Sequence, residues 1–384
     1  MTNAAVDTDV LIVGAGPVGM TLALALAAGD GLRVTLLDRR PRGAYANDPR
    51  ALALAHGTRQ LLAALGAWNA AAGTAIHDIH VSQRGGFGRT QITREEMAVE
   101  ALGYVMRYRD LAAALDARLP GDALLDRAEL RALQVGGAAA TATIRRDGAE
   151  VTLRARLVVH AEGTPAADAD VTVSDYRQHA VLAEVRPQPA HGHRAWERFT
   201  PDGPLALLPL GDDYSVVFTV PPEKADALLA MDDTAFLAAL QRQFGPRVAF
   251  TATSPRARYP LALRLRRQLT APRQVWIGNT AQTLHPVSGQ GFNLGIRDAW
   301  ELAQALLAGP ADAGDAALLA RYARGRQFDR RGSVAFTDGI VRAFSNDIAP
   351  LRMARGLGLL ALDLCPPARR FVAGRMIWGA RAWP

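Results

Sequence analysis

Two glycine-rich stretches contain the residues whose types and spacing point to chemistry. The first, GAGPVG, places Gly14, Gly16 and Gly19 at the G-x-G-x-x-G spacing. In a strand–turn–helix unit the first glycine makes the tight turn, the second lets the backbone approach a pyrophosphate, and the third allows close packing. Unpaired N–H groups at the helix start then bind the anion. Asp38 ends the next apolar run, where a carboxylate can bind a ribose diol, so the pattern predicts a dinucleotide site.

The second stretch, HPVSGQGFNLG, follows the short apolar run 275–277. It places Gly289, Gly291 and Gly295 directly before a helix-like pattern, and Pro286 shapes the loop. The negative charge of a reduced flavin is best stabilised by N–H groups at a helix N-terminus. A side chain at Gly289 or Gly291 would collide with a flat ring lying on this loop. The two stretches together predict FAD rather than NAD as the bound dinucleotide.

The histidines leave more than one interpretation open. His285 lies in the second glycine loop, where it either relays a proton or hydrogen-bonds the ring, or is a structural histidine. His191 and His193 stand two residues apart, but no third ligand lies at suitable local spacing, so we predict no metal site. The sequence contains no Gly-x-Ser-x-Gly or Cys–His arrangement typical of a hydrolase.

The elements around these loops predict an α/β fold with an interrupted first domain. Residues 8–13 and 33–38 predict two strands that flank a helix, the opening of a parallel sheet. The stretch AIHDIHVSQRGGFGRTQIT predicts a hairpin, and residues 171–220 predict an antiparallel sheet. The run QVWIGN then predicts a returning buried strand, followed by four helical segments. The sheet domain is therefore predicted to be inserted into the dinucleotide-binding domain.

Composition limits the class of protein. The 384 residues are 49% hydrophobic and 21% charged, which is enough for a large core and argues against disorder. No apolar run reaches the length of a transmembrane helix, and the N-terminal stretch lacks the features of a signal peptide. The single cysteine, Cys365, fits a reducing cytosol and is interpreted as a buried small side chain. We therefore expect a cytoplasmic protein.

The net charge of +7 does not indicate a nucleic-acid partner. The basic residues are scattered arginines, with Lys224 as the one lysine, and no DNA-binding or RNA-binding signature accompanies them. The segment after Pro350 is different, because its arginines alternate with apolar runs and face a single acid, Asp363. This tail either lies on an anionic membrane surface or packs on the domain with its arginines in water.

Several segments together resemble one known family. They are VGAGPVGMTLALAL, DPRALALAHGT, HVSQRGGFG, RAWERFTPDGPLALLPLGD, YPLALRLRRQ, GNTAQTLHPVSGQGFNLGIRDAWELA and TDGIVRAFSNDIAPLRMARGLGLLALDL. They resemble the FAD-dependent aromatic hydroxylases of the para-hydroxybenzoate hydroxylase fold, and within them the ubiquinone-biosynthesis branch, the 2-polyprenyl-6-methoxyphenol hydroxylases (UbiH type). The resemblance runs from residue 11 to about 364.

The resemblance implies a domain division. It implies a Rossmann-like (GR2-type) FAD-binding domain, an inserted antiparallel-sheet substrate domain and a C-terminal helical region. The predicted FAD-binding domain comprises residues 1–75, 96–170 and 265–345, the sheet domain 76–95 and 171–264, and the helical tail 346–384.

The resemblance also implies the cofactor site. The implied FAD contacts are Gly14, Gly16, Gly19, Asp38, Arg39, Arg50, Arg107, Glu162, Gly163, Gly278, Asn279, Gly289, Gln290, Gly291 and Asn293. Asn279 stands where most family members have aspartate. Glu162 and Gly163 stand where the family has an Asp–Gly segment that serves both FAD and reduced nicotinamide, and Ala166 replaces the serine that follows. FAD binding is therefore better supported than direct reduction by NAD(P)H.

The implied reaction inserts one oxygen atom from O2 into a prenylated phenol through a C4a-hydroperoxyflavin, with NAD(P)H as reductant, in ubiquinone biosynthesis. His285 and Pro286 are the candidate catalytic residues, and no catalytic base is evident. The inserted sheet is expected to supply an apolar wall through Phe199, Leu207 and Pro209, with Arg198 or Trp196 at its rim, unless these residues are ordinary sheet core.

A prenylated substrate implies a peripheral position at the inner face of the membrane or in a quinone-biosynthesis complex. Two alternatives remain at this point. One is a hydroxylase of a soluble aromatic substrate, and the other is a flavin-binding assembly subunit of the quinone-synthesis complex. The ring position that is hydroxylated, the prenyl chain length, the electron donor and the oligomeric state do not follow from the sequence.

Overall fold

A computed structural model of the chain describes residues 6–29, 31–165, 168–309, 312–346 and 348–379. Ala166, which replaces the family serine, lies outside the described residues, as does Arg381 of the tail. Across the described ranges, no helix combines the length and hydropathy that crossing a bilayer requires.

The strands alternate with helices in the first part of the chain and follow one another in the middle. They are β1 (Thr8–Val13), β2 (Val34–Leu37), β3 (Ala51–Ala55), β4 (Thr74–Ile76), β5 (Asp78–Gln83), β6 (Arg89–Thr93), β7 (Gly103–Arg107), β8 (Leu124–Leu125), β9 (Ala128–Val135), β10 (Ala140–Arg146), β11 (Ala149–His160), β12 (Val171–Gln188), β13 (Arg194–Thr200), β14 (Gly203–Leu210), β15 (Asp213–Val220), β16 (Ala249–Thr253), β17 (Ala257–Arg266), β18 (Thr270–Ala271), β19 (Gln274–Trp276) and β20 (Gln282–Thr283).

Helical segments close the described part of the chain, as predicted, and the longest helices are among them. The α-helices are α1 (Pro17–Ala27), α2 (His56–Ala64), α3 (Arg94–Met97), α4 (Tyr108–Asp116), α5 (Pro222–Ala230), α6 (Asp233–Phe244), α7 (Gln290–Leu307), α8 (Ala316–Phe344), α9 (Ala349–Leu364) and α10 (Pro366–Trp378). Short 3-10 turns lie at Ala44–Asn47, Gly278–Thr280 and Pro286–Ser288.

The first sheet has a parallel centre. Its strands run in the order β18-β19-β11-β1-β2-β8, and β1 pairs in parallel with both β2 and β11. The six residues of β1 are all buried, because helices α1, α4 and α7 cover one face of the sheet and the β9–β10 ribbon covers the other. This doubly covered sheet confirms the predicted α/β class. The start of α1 and the Gly278–Thr280 turn before α7 follow β1 and β19 at the same edge of the sheet.

The second sheet is the predicted antiparallel one. Its nine strands are β20-β17-β12-β15-β14-β13-β5-β6, with β16 paired to β12. The hairpin β5–β6 joins it through a parallel pairing of β5 with β13. Helices α5 and α6 cover one face, where Phe236 and Leu240 pack against Leu205 and Tyr214. The opposite face is left to line a cleft.

The C-terminal helices pack against this second sheet. The turn after β5 contacts α9 so closely that a side chain at Gly88 would overlap the backbone of Gly356. Arg369 of α10 forms a two-pronged ion pair with Glu96, at 2.8 and 2.9 Å, and both side chains are largely buried. The prediction that Cys365 is buried was wrong: it lies exposed in the non-helical link between α9 and α10.

Candidate active site

A cleft of about 720 Å³ lies between the helix starts of the first sheet and the open face of the second. Gly16 and Arg50 line one end, the loop from Gly278 to Gly291 lines the middle, and side chains of the second sheet and of α8–α10 line the rest. The two glycine-rich stretches therefore border a single space, although they are separated by more than 250 residues of sequence.

The first glycine loop uses its glycines for two different purposes. Gly14 has φ +105°, and a Cβ there would lie 2.6 Å from the backbone of Ala161. A Cβ at Gly19 would overlap the carbonyl oxygen of Gly14, so both positions require glycine for packing alone. Gly16 is different, because its Cβ would meet only the hydroxyl of Tyr108, at 3.6 Å. It caps α1, and its bare backbone faces the cleft.

Asp38 is fixed beside this loop. Its carboxylate accepts hydrogen bonds from the backbone N–H of Ala15 at 2.9 Å and of Arg40 at 2.8 Å, and it pairs with the Arg40 guanidinium. Burial by itself raises the pKa of Asp38, but the bonds and charge of Arg40 outweigh it and leave the pKa below its ordinary value. The carboxylate is therefore ionised and oriented. Arg39, the neighbour predicted to bind cofactor, is exposed and does not line the cleft.

The two other predicted arginines differ in position. Arg50 lines the cleft, pairs with Asp48 at 2.6 Å and lies over the ring of Tyr108 at 4.7 Å. Arg107 does not line the cleft. Its guanidinium forms a two-pronged pair with Glu184 of β12, at 2.6 and 3.1 Å, so it joins the small three-stranded sheet β3-β7-β4 to the second sheet instead.

The second glycine loop presents bare backbone at a helix start, as the sequence predicted. Gly289 has φ +60° and is the N-cap of α7, a position where glycine avoids the strain of the left-handed conformation. Gly291 has room for a Cβ, which would meet Leu284 at 3.7 Å, and both glycines line the cleft. The first N–H groups of α7 are therefore available at the cleft surface.

Gln290 and Asn293 support the loop without lining the cleft. The side chain of Asn293 is buried, accepts from Ala55 N–H at 2.8 Å and donates to the carbonyls of Ala53 and Gly289. Gln290 donates to the carbonyl of Met376 in α10 at 3.2 Å. Their side chains hold the loop to β3 and to the C-terminal helices, so a direct ring contact would come from the backbone.

A buried ionic network fixes the preceding turn. Asp298 of α7 accepts from Gly278 N–H at 3.1 Å and from the Gln282 amide at 2.7 Å, and it pairs with Arg326 of α8. Arg326 is completely buried. Asn279, half-buried in the same turn, lines the cleft. Asp298 thus acts as a brace for the loop.

His285 lines the cleft in a neutral form. Its Nδ1 accepts from Val287 N–H at 3.1 Å, and its ring meets that of Tyr176 edge-on. Burial lowers the pKa of His285 to about 4. Since Nδ1 is an acceptor, the proton of the neutral ring is on Nε2, which has no hydrogen-bond partner among the described residues. Pro286 lines the cleft beside it and begins a 3-10 turn.

The Glu162–Gly163 segment is split between surface and cleft. Glu162 is exposed beside His160 and does not line the cleft, whereas Gly163 does, with φ +99°. Residues 161–165 and 168–170 contain no helix.

For three of the residues predicted for the substrate wall and its rim, the side chain lies on the strand face that points away from the cleft. Strand side chains alternate between faces, and the cleft face of β14 carries Ala206 and Leu208. Leu207 instead packs with the α5–α6 core, and Pro209 lies on that same side of the strand. Arg198 also points away, donating to the carbonyl of Gln243 at 3.1 Å.

The other two wall residues behave differently from each other. Phe199 is buried in the cleft wall and stacks on Phe344 of α8. Trp196 borders the cleft, but its indole N–H donates to Tyr214 in the core on the opposite face.

Two parts of the site were not predicted from the sequence. One is the helical wall, formed by Phe336 and Ile340 of α8 with Leu359 and Leu362 of α9. The other is Glu197, which lies in the cleft wall between Ala195 and Phe199. Strand alternation in RAWERF places this glutamate on the face of Phe199, a signal that was available in the sequence.

The residues present fit FAD. Gly16 and Gly291 leave cradles that a Cβ could occupy without meeting protein backbone, each at the start of a helix. Such positions bind pyrophosphate at one end and an electron-accepting ring at the other. An ionised Asp38 beside the first cradle suits a ribose diol. This fold and cleft define the class of FAD-binding proteins.

Comparisons with known proteins agree with that class. Residues 7–336 match the model of the FAD binding domain family. The chain is 37% identical over 380 residues to ubiquinone hydroxylase UbiL of Rhodospirillum rubrum, covering 94% of this chain and 87% of that protein. It is 30% identical over 391 residues to the 3-demethoxyubiquinol 3-hydroxylase of Escherichia coli, covering 94% and 96%. The crystal structure of p-nitrophenol 4-monooxygenase PnpA from Pseudomonas putida superposes with a TM-score of 0.78 at 16% identity, covering 97% and 98%.

The chain therefore belongs to the FAD-binding monooxygenase family, in the branch that contains the ubiquinone hydroxylases.

Proposed function

We propose that this monooxygenase hydroxylates a polyprenylated phenol in ubiquinone biosynthesis, with NAD(P)H as reductant. The observation that carries the proposal is the apolar continuation of the cleft beyond the second glycine loop, between the open sheet face and α8–α10. A hydrocarbon chain attached to a phenol matches that lining, because its burial is favourable by roughly 25 cal/mol per Å². The names of the relatives supply the class of substrate.

The roles proposed for the cofactor residues follow from their positions. Backbone N–H groups after Gly16 would bind the pyrophosphate, and Asp38 the ribose. Arg50, paired with Asp48, would face the cofactor from the cleft wall. The start of α7 would stabilise negative charge on the ring. Bound FAD would supply the activation of O2 and the transfer of one of its oxygen atoms.

The chain's own contribution to the chemistry is a dry, shaped space. Phe199, Phe344 and Leu362 exclude water from the side of the cleft where the phenol would bind. His285, neutral and with Nε2 unpartnered among the described residues, would donate a hydrogen bond rather than a full proton. Orientation and exclusion of water are thus the functions assigned to the walls.

Product analysis tests the substrate class. Protein with bound FAD is supplied with reductant and O2 together with either a 2-polyprenylphenol or the same phenol without its chain. We expect the prenylated phenol to be hydroxylated with the higher kcat/KM. Equal or better turnover of the unprenylated phenol would instead assign a soluble aromatic substrate.

The reductant is tested by anaerobic mixing of the FAD-loaded protein with NADPH or NADH, with and without the prenylated phenol. Bleaching of the flavin that is fast only with the phenol present supports a substrate-gated hydroxylase. Flavin that stays oxidised with both nucleotides would require another electron donor.

One observation favours a second candidate role, that of a flavin-binding assembly subunit. Glu162 replaces the family aspartate, and its side chain lies at the surface rather than in the cleft. A Gly289→Trp variant fills the position of the ring. If this variant still restores quinone synthesis in a cell that lacks the protein, the role is structural, and if it fails while remaining folded, the role is catalytic.

We further propose that the protein binds peripherally at a membrane surface through α9. The outer face of this helix carries Met353, Leu357, Leu360 and Leu364, which are between 37% and 73% exposed. Their spacing of three or four residues forms one stripe. The inner face of the same helix lines the cleft through Leu359 and Leu362, so a single helix separates the apolar stripe from the proposed substrate site.

Apolar contact rather than charge carries this membrane proposal. Arg355 donates to carbonyls at the end of α8, and Arg369 pairs with Glu96, so both are engaged within the protein. We expect a Leu357→Ser/Leu364→Ser variant to lose flotation with vesicles that the unaltered protein binds. A Val151→Ser variant, which changes an exposed apolar residue of β11, is the control. Equal flotation of all three proteins would contradict the proposal.

A further inference from the structure

The carboxyl group of Glu197 is the one acidic group among the described residues that line the cleft. It lies in the middle of β13, paired with Val81 of β5 on one side and Ala206 of β14 on the other. Ala195 and Phe199 flank it on the same face. Its Oε1 atom is buried and has no hydrogen-bond partner within the described chain.

A structural role does not explain this group. A buried oxygen without a partner opposes folding, and an apolar residue at position 197 would continue the wall. Groups of this kind are typical of sites where a ligand supplies the missing partner. The ligand expected in this part of the cleft, if the proposed function holds, is a phenol whose hydroxyl is a hydrogen-bond donor.

We propose that Glu197 accepts the hydrogen bond of the phenol hydroxyl and takes its proton. The phenol O–H bond breaks and an O–H bond to the Glu197 carboxylate forms, so that the carboxylate becomes neutral and the negative charge moves to the ring oxygen. An ionised ring is richer in electrons and is the better acceptor of an oxygen atom. The hydroxylated ring regains its aromaticity when the carbon that received the oxygen atom loses its proton to solvent, and the proton held by Glu197 then returns to the ring oxygen. This proposal rests on the proposed function and assigns the base that the sequence did not reveal.

The surroundings of Glu197 suit a base for phenols. A phenol ionises near pH 10, whereas an ordinary glutamate has a pKa near 4, a gap too wide for efficient transfer. Burial raises the pKa of Glu197 to about 8. The facing residues of the neighbouring strands are apolar, and Thr90 of β6 is the nearest polar residue on the same face.

The charged groups elsewhere in the cleft are already engaged or neutral. Arg369 of α10 pairs with Glu96, and Arg50 pairs with Asp48. His285 is neutral at physiological pH. Charged residues on the other face of β13 and β5, such as Arg198, point into the opposite core. Ionisation of Glu197 is therefore governed chiefly by its burial, and we expect it to titrate near pH 8.

The test compares full-length, FAD-loaded Glu197→Gln protein with the unaltered enzyme across pH 6 to 10, using two prenylated phenols. One is unsubstituted, and the other carries ring fluorines that make its hydroxyl more acidic. In the unaltered enzyme kcat/KM should rise with pH through about 8. Glu197→Gln should lack this rise and should lower kcat/KM by about 10²-fold or more for the unsubstituted phenol. For the fluorinated phenol the deficit should shrink at least tenfold, because that hydroxyl ionises without help.

Two further variants separate chemistry from folding. Glu197→Asp keeps a carboxyl group and should retain the pH dependence with a smaller loss. Glu223→Gln, an exposed glutamate of α5, is the matched control and should behave like the unaltered enzyme. FAD content and melting temperature are measured on every protein.

The outcomes are distinguishable. If Glu197→Gln hydroxylates both phenols with the rate and pH dependence of the unaltered enzyme, the role of Glu197 is overturned while the proposed function stands. An equal deficit for both phenols, with the pH dependence unchanged, also overturns it. If the unaltered, FAD-loaded enzyme hydroxylates neither phenol, the proposed function fails and the role of Glu197 with it.

Discussion

The ring of Phe199 stacks on the ring of Phe344, with 3.9 Å between their centroids and 28° between their planes. This contact joins the open face of the second sheet to the end of α8 and closes the cleft at that point. It makes the C-terminal helices part of the active-site wall, so changes in this contact should affect both stability and water exclusion.

Replacing Phe199 with alanine should lower the free energy of unfolding by about 3 kcal/mol, because a buried aromatic ring and its stacking partner lose their contacts. Turnover should also become less coupled, with more reductant consumed per hydroxylated product, since water enters the cleft. Denaturant titration and product counting measure the two effects. Phe371→Ala, which removes an exposed ring, should change unfolding by less than about 0.5 kcal/mol. Tight coupling in Phe199→Ala would contradict the assignment of this wall.

Substitutions at two glycines of the first loop should affect folding and cofactor binding separately. Gly16 has an extended backbone and room for a Cβ, so Gly16→Ala should fold with near-normal stability and yet lose FAD affinity at least tenfold. Gly19→Ala should fold poorly even without FAD, because its Cβ would overlap Gly14. Flavin fluorescence titration and thermal melting of the apoprotein distinguish the two. Normal FAD affinity in Gly16→Ala would show that the cofactor backbone does not approach this residue.

The contribution of His285 to the free energy of unfolding should decrease at acid pH. Its pKa is about 4 in the folded protein and about 6.5 in the unfolded chain, so the unfolded chain binds more protons between these values. Stability is lost as the pH falls through this window, by up to about 3 kcal/mol from this residue. His285→Asn keeps an acceptor for the Val287 N–H and removes the titration.

The difference in unfolding free energy between His285→Asn and the unaltered protein should therefore shift in favour of the variant from pH 7 to pH 4. His80, whose pKa burial also lowers to about 4, is present in both proteins and cancels from the difference. A difference that is independent of pH would mean that His285 is not held neutral by burial.

The buried ionic network around Asp298 should contribute far more to the free energy of unfolding than an exposed ion pair does. Asp298→Asn removes a negative charge that pairs with the completely buried Arg326, and it loosens the Gly278 turn. We therefore expect the free energy of unfolding to fall by about 3–5 kcal/mol and FAD binding to weaken. The matched control, Asp226→Asn, breaks an exposed pair with Arg258 and should change stability by less than about 1 kcal/mol. Comparable effects of the two substitutions, measured by denaturant unfolding, would argue against the network as a brace.

The parts of the fold that depend on local pattern could be predicted from the sequence. The buried strand before Gly14, the helix after it and the glycine cap of α7 are set by residues within a few positions of each other. The two glycine loops lie close in space because β1 and β19 run in the same direction within one sheet and end at the same edge. The antiparallel sheet and the closing helices followed from periodicity.

The rest depends on contacts between distant segments. Arg107 meets Glu184 and Arg369 meets Glu96 only after the domains have packed, so neither partner could be read from local spacing. The strand that contains Leu207 and Pro209 was predicted, but not which of its faces borders the cleft. Both faces of β14 are apolar, and a shift of one residue in register would exchange the two faces. On β13, Glu197 is a charged residue between the apolar residues Ala195 and Phe199 on the same strand face. Its position in the sequence could have indicated which face of β13 borders the cleft.

The most direct test of the central assignment is a single turnover in ¹⁸O₂. The FAD-loaded protein is reduced by light under anaerobic conditions, so that no nucleotide is needed, and is then mixed with a 2-polyprenylphenol and ¹⁸O₂ in ordinary water. The account predicts a hydroxylated phenol that contains one ¹⁸O atom and no product from protein without FAD. Reoxidation of the flavin with release of hydrogen peroxide and no labelled phenol would contradict it.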